Sequence, residues 1–173
     1  IGNVLNVQVR FSVPPRDLDY TSGKEMPWRL QPDISGGGYF YDLAPHQIDL
    51  LQDIFGVITR AHGYPANRAH LYEAEDTISA CFYFESGIPG SGSWCFVGHE
   101  SAKEDRIEIV GDKGSLSFSV FDYDPILLVT SAGKTSIVVP NPSYVQLPII
   151  KTVIPPQQGL SPYRPLMLRK PYV

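Results

Sequence analysis

The hydrophobic pattern changes period along the chain, and each change predicts an element. From Val4 to Val13 (VLNVQVRFSV) apolar and polar residues alternate, which predicts a half-buried strand. Pro14-Pro15 ends it. Residues 16 to 35 are mostly polar and contain Gly23, Pro27 and Pro32, a composition that predicts a long loop. After Gly36-Gly37-Gly38 the spacing becomes helical over about 39–55. Leu43, Gln47, Leu50, Leu51, Ile54 and Phe55 form a largely apolar stripe, while Asp42, His46, Asp49 and Asp53 recur at spacings that share another face. Pro45 is tolerated best in a first turn, so the regular helix is expected to begin near Leu43 or Ala44, with 36–42 as an irregular lead-in. Gly56 is placed to end it.

Beyond Gly56 the period returns to two. Strands are predicted at Val57–Tyr64, Thr77–Glu85 and Ser93–Val97, with turn chemistry over Ser86–Gly92. Arg106–Val110 and Ser115–Val120 form a hairpin across Gly111–Gly114. Ile126–Thr130 and Ser136–Val139 form another across Ala132-Gly133-Lys134. About eight strands stand against one clear helix. The expected fold is α+β: an open, mainly antiparallel sheet with the helix at about 39–55 packed on one face.

The end of the chain differs in kind. From Pro125 onward there is no Asp or Glu, and half of the 16 prolines fall between Pro140 and Pro171. Tyr144–Ile154 is expected to hold at most a short helix because of Pro148. Residues 155–173 read as a Pro-rich, divergent tail, extended or disordered, so the folded domain is expected over 1–154.

Composition narrows the function classes. With 173 residues, 43% hydrophobic and 18% charged, the chain suits one domain with a real core. A net charge of −4 gives no nucleic-acid footprint. No apolar run approaches the roughly 18 residues a membrane helix needs, and the N-terminus lacks the basic start of a signal peptide. A cytoplasmic protein is expected. Cys81 and Cys95 would face each other in a hairpin centred on Ile88, but free thiols are the ordinary state of two such cysteines.

The candidate chemistry lies on and before the helix. His46 four residues after Asp42 suits an acid or base beside a carboxylate, and equally suits a solvated pair. Trp28-Arg29 offers a stacking plane and an anion-binding fork, or an aromatic lid with a surface Arg. His62, His70 and His99 lie on separate segments without metal-ligand spacing, so no metal is expected. Gly36-Gly37-Gly38 lacks the dinucleotide fingerprint, Gly90-Ser91-Gly92 reads as a hairpin turn, and Gly111–Ser115 lacks the P-loop order.

Taken together, these motifs resemble the C-terminal domain of the Gfo/Idh/MocA family of NAD(P)-dependent oxidoreductases. The resemblance runs through Pro14-Pro15, Trp28-Arg29, Gly36-Gly37-Gly38, Asp42-x-x-x-His46-x-x-Asp49, Gly56, Glu75-Asp76-Thr77, Gly87 and Asp105-Arg106-Ile107-Glu108-Ile109-x-Gly111-x-x-Gly114, over roughly residues 1–140. It implies a substrate-binding and oligomerisation domain of a sugar or polyol oxidoreductase, with hydride transfer at a carbinol carbon. It implies His46 as the proton-transfer residue and Asp42 as a substrate ligand that helps to orient it. It places Trp28 and Arg29 near the nicotinamide end of NAD or NADP, with Arg29 also within reach of substrate, and demotes Asp53 to a solvated edge. It implies homo-oligomer contacts through the open sheet face, an uncovered apolar face by expectation. The family's N-terminal Rossmann domain and its Glu-Lys-Pro lysine are not in this sequence, so the chain alone is expected to hold no cofactor and to be inactive. The alternative is a non-catalytic binding or scaffold module of the same fold. An isomerase or hydrolase using Asp42 and His46 is a third reading.

Overall fold

The computed structural model describes residues 1–16, 25–122, 124–139 and 142–155, except for the side chains of 142–147. Eight strands form one sheet: β1 (Val4–Ser12), β2 (Ile58–Ala66), β3 (Thr77–Phe84), β4 (Pro89–Cys95), β5 (Glu104–Gly111), β6 (Gly114–Phe118), β7 (Ile126–Thr130) and β8 (Gly133–Ile137). Their order is β2-β3-β4-β1-β5-β6-β7-β8. β1 runs parallel to β4, with Val7 beside Gly90, and antiparallel to β5, with Val7 beside Ile109. The remaining pairings are antiparallel neighbours in sequence. The fold is therefore the expected α+β arrangement, an open and mostly antiparallel sheet with one main helix.

Alternation along the strands sorts the two faces. Val7, Val9 and Phe11 of β1 point to the covered side with Ile78, Phe82 and Phe84 of β3, Trp94 of β4, Ile107 and Ile109 of β5, and Leu116 and Phe118 of β6, all buried. The helix α2 (Tyr39–Phe55) lies over this side, burying Ala44, Gln47, Leu51, Ile54 and Phe55. Leu43 and Leu50 are only half-buried. Each fully buried Leu, Ile or Phe contributes about 1.5–3 kcal/mol, so this layer carries most of the stability. Phe40 meets Trp94 edge to face at 5.1 Å, and Phe55 meets Phe84 at 5.3 Å.

Several expectations need correction. α2 begins at Tyr39, not near Leu43, and takes Pro45 into its interior. The packing of its apolar stripe outweighs the hydrogen bond that Pro45 cannot donate. It ends as expected at Gly56, whose φ of +83° is open to glycine. The stretch expected as loop at 16–35 holds a 3₁₀ turn, Trp28–Leu30, and a short helix α1 (Pro32–Ser35). Gly90-Ser91-Gly92 is not a turn but part of β4, because the chain reverses earlier, over 85–88. Both glycines lie where a neighbouring ring leaves no room: an added Cβ would sit 2.2 Å from the Phe82 ring at Gly90 and 2.1 Å from the Trp94 indole at Gly92. That earlier reversal pairs Cys81 with Ser91 and Cys95 with Thr77, so the cysteines do not face each other and both are free thiols. β8 starts at Gly133 rather than Ser136.

The helix α3 (Pro142–Val153) has three turns despite Pro148. It is held from outside: Ile150 and Ile154 are buried, and Lys151 Nζ lies 2.7 Å from Asp53 Oδ2. Asp53 is thus an ion-pair partner with its side chain only 17% exposed, not a solvated edge. The expected tail at 155–173 lies outside the described residues, apart from residue 155. Among the described residues, no helix is long and apolar enough to cross a membrane.

The open face is mixed: Tyr83, Val110, Leu127 and Val129 lie on it by register, together with a polar group. Gln8, Arg10, Ser79, Cys81, Ser91, Ser93, Arg106, Glu108 and Ser117 share it by register, flanked by His62 and Tyr64 on β2. Gln8, Arg10, His62 and Tyr64 border a depression of about 500 Å³ there, whose lining includes Ser79, Ser91 and Ser93.

Candidate functional site

The entry to α2 brings together two of the charged residues that the sequence singled out, Arg29 and Asp42. The 3₁₀ turn at Trp28–Leu30 presents Arg29 to the first turn of α2, where its Nε lies 2.8 Å from Asp42 Oδ2. The same guanidinium lies 4.5 Å from the Trp28 ring centroid, a cation–π contact that leaves the indole half exposed. Trp28, Arg29 and Asp42 therefore form one cluster. Half-exposed as it is, this ion pair orients more than it stabilises. His46 stands one turn further along α2 and is exposed. Its ring meets Phe121 edge to face, with centroids 5.9 Å apart and planes at 89°. Asp49 is exposed on the next turn.

A cleft of about 360 Å³ opens between the end of β1 and α2, and it shares Phe121 with the surroundings of His46, although Trp28, Arg29, Asp42 and His46 do not line it. Phe11, Tyr39, Leu43, Phe96 and Phe121 supply apolar walls, and Arg16, Asp105 and Asp122 supply polar ones. Arg16 stacks over Tyr39 at 5.0 Å. An apolar cleft with a few convergent polar groups suits a small polar molecule with one hydrophobic side.

The acidic residues of the 75–76 segment shape the site from behind. Glu75 Oε1 accepts the backbone N–H of Gly38 at 2.9 Å, which fixes the start of α2. Asp76 is buried and accepts the backbone N–H groups of Arg68 and Ala69 and the Thr77 hydroxyl, closing the loop between β2 and β3. Gly36-Gly37-Gly38 is consequently not a phosphate cradle, since a carboxylate already occupies its free N–H.

Spacing arguments missed Phe121, and with it the buried polar residues Gln47 and Asp105 behind the site. A signal for both was present. Gln47 is the one amide in an otherwise apolar stripe. Asp105 sits in phase with Ile107 and Ile109, which places a carboxylate on the core side of β5. Among the described residues no group of three metal-ligating side chains converges.

Fold and site together define an α+β domain with one covered sheet face and a polar site along the covering helix. The chain belongs to the GFO/IDH/MocA family: the model of that family's C-terminal domain matches residues 1–117. Oxidoreductase P35 of Formosa agariphila is 34% identical over 157 residues, covering 89% of this chain and 46% of that protein. A levoglucosan dehydrogenase solved with NADH and levoglucosan superposes with a TM-score of 0.66 at 20% identity, over 80% of this chain and 40% of its own. An oxidoreductase domain protein from Kribbella flavida gives a TM-score of 0.62 at 24% identity, over 94% and 47%. The two structural likenesses concern the fold. The chain spans about half the length of the relatives it matches, 46% of the Formosa protein.

Proposed function

We propose that this chain is the substrate-binding domain of a nicotinamide-dependent oxidoreductase acting on a sugar or polyol, completed by a dinucleotide-binding domain in the whole protein. The observation that carries the reading is the Arg29–Asp42 ion pair with an exposed His46 one helical turn beyond it. Family membership supports the reaction class, and relatives of the same fold that bind levoglucosan or L-sorbose with NADH support the substrate class.

The residues present fit one end of such a cofactor. The half-exposed Trp28 indole is a stacking plane, and Arg29 beside it is a cation. They do not fit the pyrophosphate, because the N–H at the glycine-rich turn is taken by Glu75. A bound nicotinamide supplies hydride transfer to or from a carbinol carbon.

The chain's own part is binding and proton transfer. His46 takes the substrate hydroxyl proton as the carbinol is oxidised and returns it in the reverse direction. Asp42, held at one oxygen by Arg29, accepts a neighbouring substrate hydroxyl at the other, and Arg29 lies beside the same hydroxyls. Phe121 sets the plane of the imidazole.

His46→Ala in the whole protein should lower kcat about 100-fold or more while cofactor affinity changes little, the range expected for loss of a general acid–base group. Unchanged turnover would remove His46 from this role. Calorimetry with NAD(H) and NADP(H) on the whole protein tests the class of reaction: binding of neither would sink the dehydrogenase reading.

The open sheet face is proposed as a contact between copies of the chain. Its support is a patch of small side chains, Ser79 opposite Ser93 and Cys81 opposite Ser91, which lets a second sheet approach closely. Light scattering at tens of micromolar should give at least a dimer. A monomer would exclude the contact.

A further inference from the structure

We propose that Asp105 and Gln47 are positioning residues for His46: one buried carboxylate ties the rotation of α2 to the loop at 120–122, and the Phe121 ring carries that constraint to the imidazole. Its catalytic consequence rests on the role of His46 proposed above, whereas its geometric part does not.

The connection runs through five hydrogen bonds. Trp94 Nε1 donates to Gln47 Oε1 at 2.7 Å, and Gln47 Nε2 donates to Asp105 Oδ1 at 3.3 Å. Asp105 Oδ2 accepts the backbone N–H groups of Val120 at 2.8 Å, Phe121 at 2.5 Å and Asp122 at 3.2 Å. Gln47 and Trp94 are fully buried and Asp105 is 8% exposed. A leucine at position 47 would serve packing alone, and burying an amide and a carboxylate is costly unless each finds its partners. What the polar arrangement adds is direction. Both oxygens of Asp105 are committed, one to the helix and one to the loop, so neither element shifts without breaking a buried hydrogen bond.

The loop end of this connection is aimed at His46. Phe121 packs between Phe11, with ring centroids 5.5 Å apart at 69°, and His46, at 5.9 Å and 89°. The helix end adjoins it as well, because Gln47 follows His46 in the chain. The backbone of His46 and the ring against its imidazole are thereby referred to the same carboxylate.

The test uses the ring proton resonances of His46 in this chain, with His62, His70 and His99 as internal references. Phe121→Leu, which removes the neighbouring ring, defines the displacement expected when the contact is lost. Asp105→Asn should displace the His46 resonance in the same direction, and the two substitutions combined should do little more than either alone. Asn at 105 turns an amide donor toward the Gln47 amide. Adding Gln47→Glu places an acceptor there and should bring the resonance back toward its native position. A folded Asp105→Asn protein with an unmoved His46 resonance would overturn the proposal, as would displacements that simply add. If Asp105→Asn does not fold, Gln47→Met, which keeps volume and removes the donor, makes the same distinction.

In the whole protein Asp105→Asn should lower kcat about tenfold with little change in the KM for the cofactor, and Gln47→Glu should recover part of the loss. A purely structural role predicts lower thermal stability with kcat unchanged in the folded fraction. If His46→Ala leaves turnover intact, the functional reading fails, yet the resonance experiment still decides whether Asp105 positions His46.

Discussion

Gly92 is the residue whose smallness has the clearest physical cause. Its Cα faces the Trp94 indole, and that indole is held on its far side by Gln47. The ring cannot retreat without giving up a buried hydrogen bond, so Gly92→Ala should lower stability by about 1–3 kcal/mol, the usual cost of overpacking. Thermal denaturation checks it, and an unchanged Tm would mean that the indole is free to move. Residues like this mark what the sequence shows at the finest scale. Residue type and spacing could offer Asp42, His46 and the Trp28-Arg29 pair as candidates, but not the ion pair that joins Arg29 to Asp42. The reason for Gly90 and Gly92 was not legible, because a glycine required by a neighbouring ring looks the same as a glycine in a turn. Asp105 and Asp76 were legible in principle. Each stands in phase with buried strand residues, where an unpaired carboxylate would be prohibitive and a partner must exist.

At the scale of elements, α2 and α3 both carry an internal proline. In α2 the Tyr41 carbonyl faces Pro45, which has no N–H to offer, yet the helix persists because Ala44, Gln47, Leu51, Ile54 and Phe55 are packed under it. Pro45→Ala should therefore raise stability by about 1–3 kcal/mol, within the helix-interior penalty of proline. A lower Tm would show that the ring makes contacts the helix needs. α3 depends more on what it touches, since it is anchored by Ile150, Ile154 and the Lys151–Asp53 pair. Asp53→Ala should cost about 1 kcal/mol, as for a partly exposed pair. It should also speed amide exchange across α3 more than across α2, and equal acceleration in the two helices would refute this. The helical period located α2 but not its first residue, and Pro148 argued for too little helix in α3. In both cases a local rule yielded to burial that only the assembled sheet provides.

At the scale of the whole molecule, local pattern gave the number of strands and their hairpin neighbours, because adjacent strands pair through short turns. The place of β1 was not legible. Nothing in VLNVQVRFSV states that its partners are β4 on one side and β5 on the other, since period-two alternation records which face is buried and not which strand lies alongside. The composition of the open face was only partly legible for a related reason. Which residues are neighbours depends on register, and register collected Ser79, Ser91, Ser93 and Gln8 into a polar patch on a face that also carries Val110, Leu127 and Val129.

The central position of β1 has a consequence for how the molecule comes into being. β2–β3–β4 and β5–β6–β7–β8 are each meanders built from short-range contacts, and each can form soon after its residues are made. Until the first strand lies between them they are separate half-sheets with open inner edges, and bringing it there closes loops spanning most of the domain. The first strand of this domain to be made is thus the last to be secured. Pulse-labelled hydrogen exchange during refolding should find amide protection in β3 and β6 before β1, and simultaneous protection of all three would show that the sheet forms in one step. In the interval two unpaired β edges face each other with a gap one strand wide, a template that the first strand of another copy fits as well as its own. Crowded refolding should therefore favour strand-exchanged assemblies over irregular aggregates.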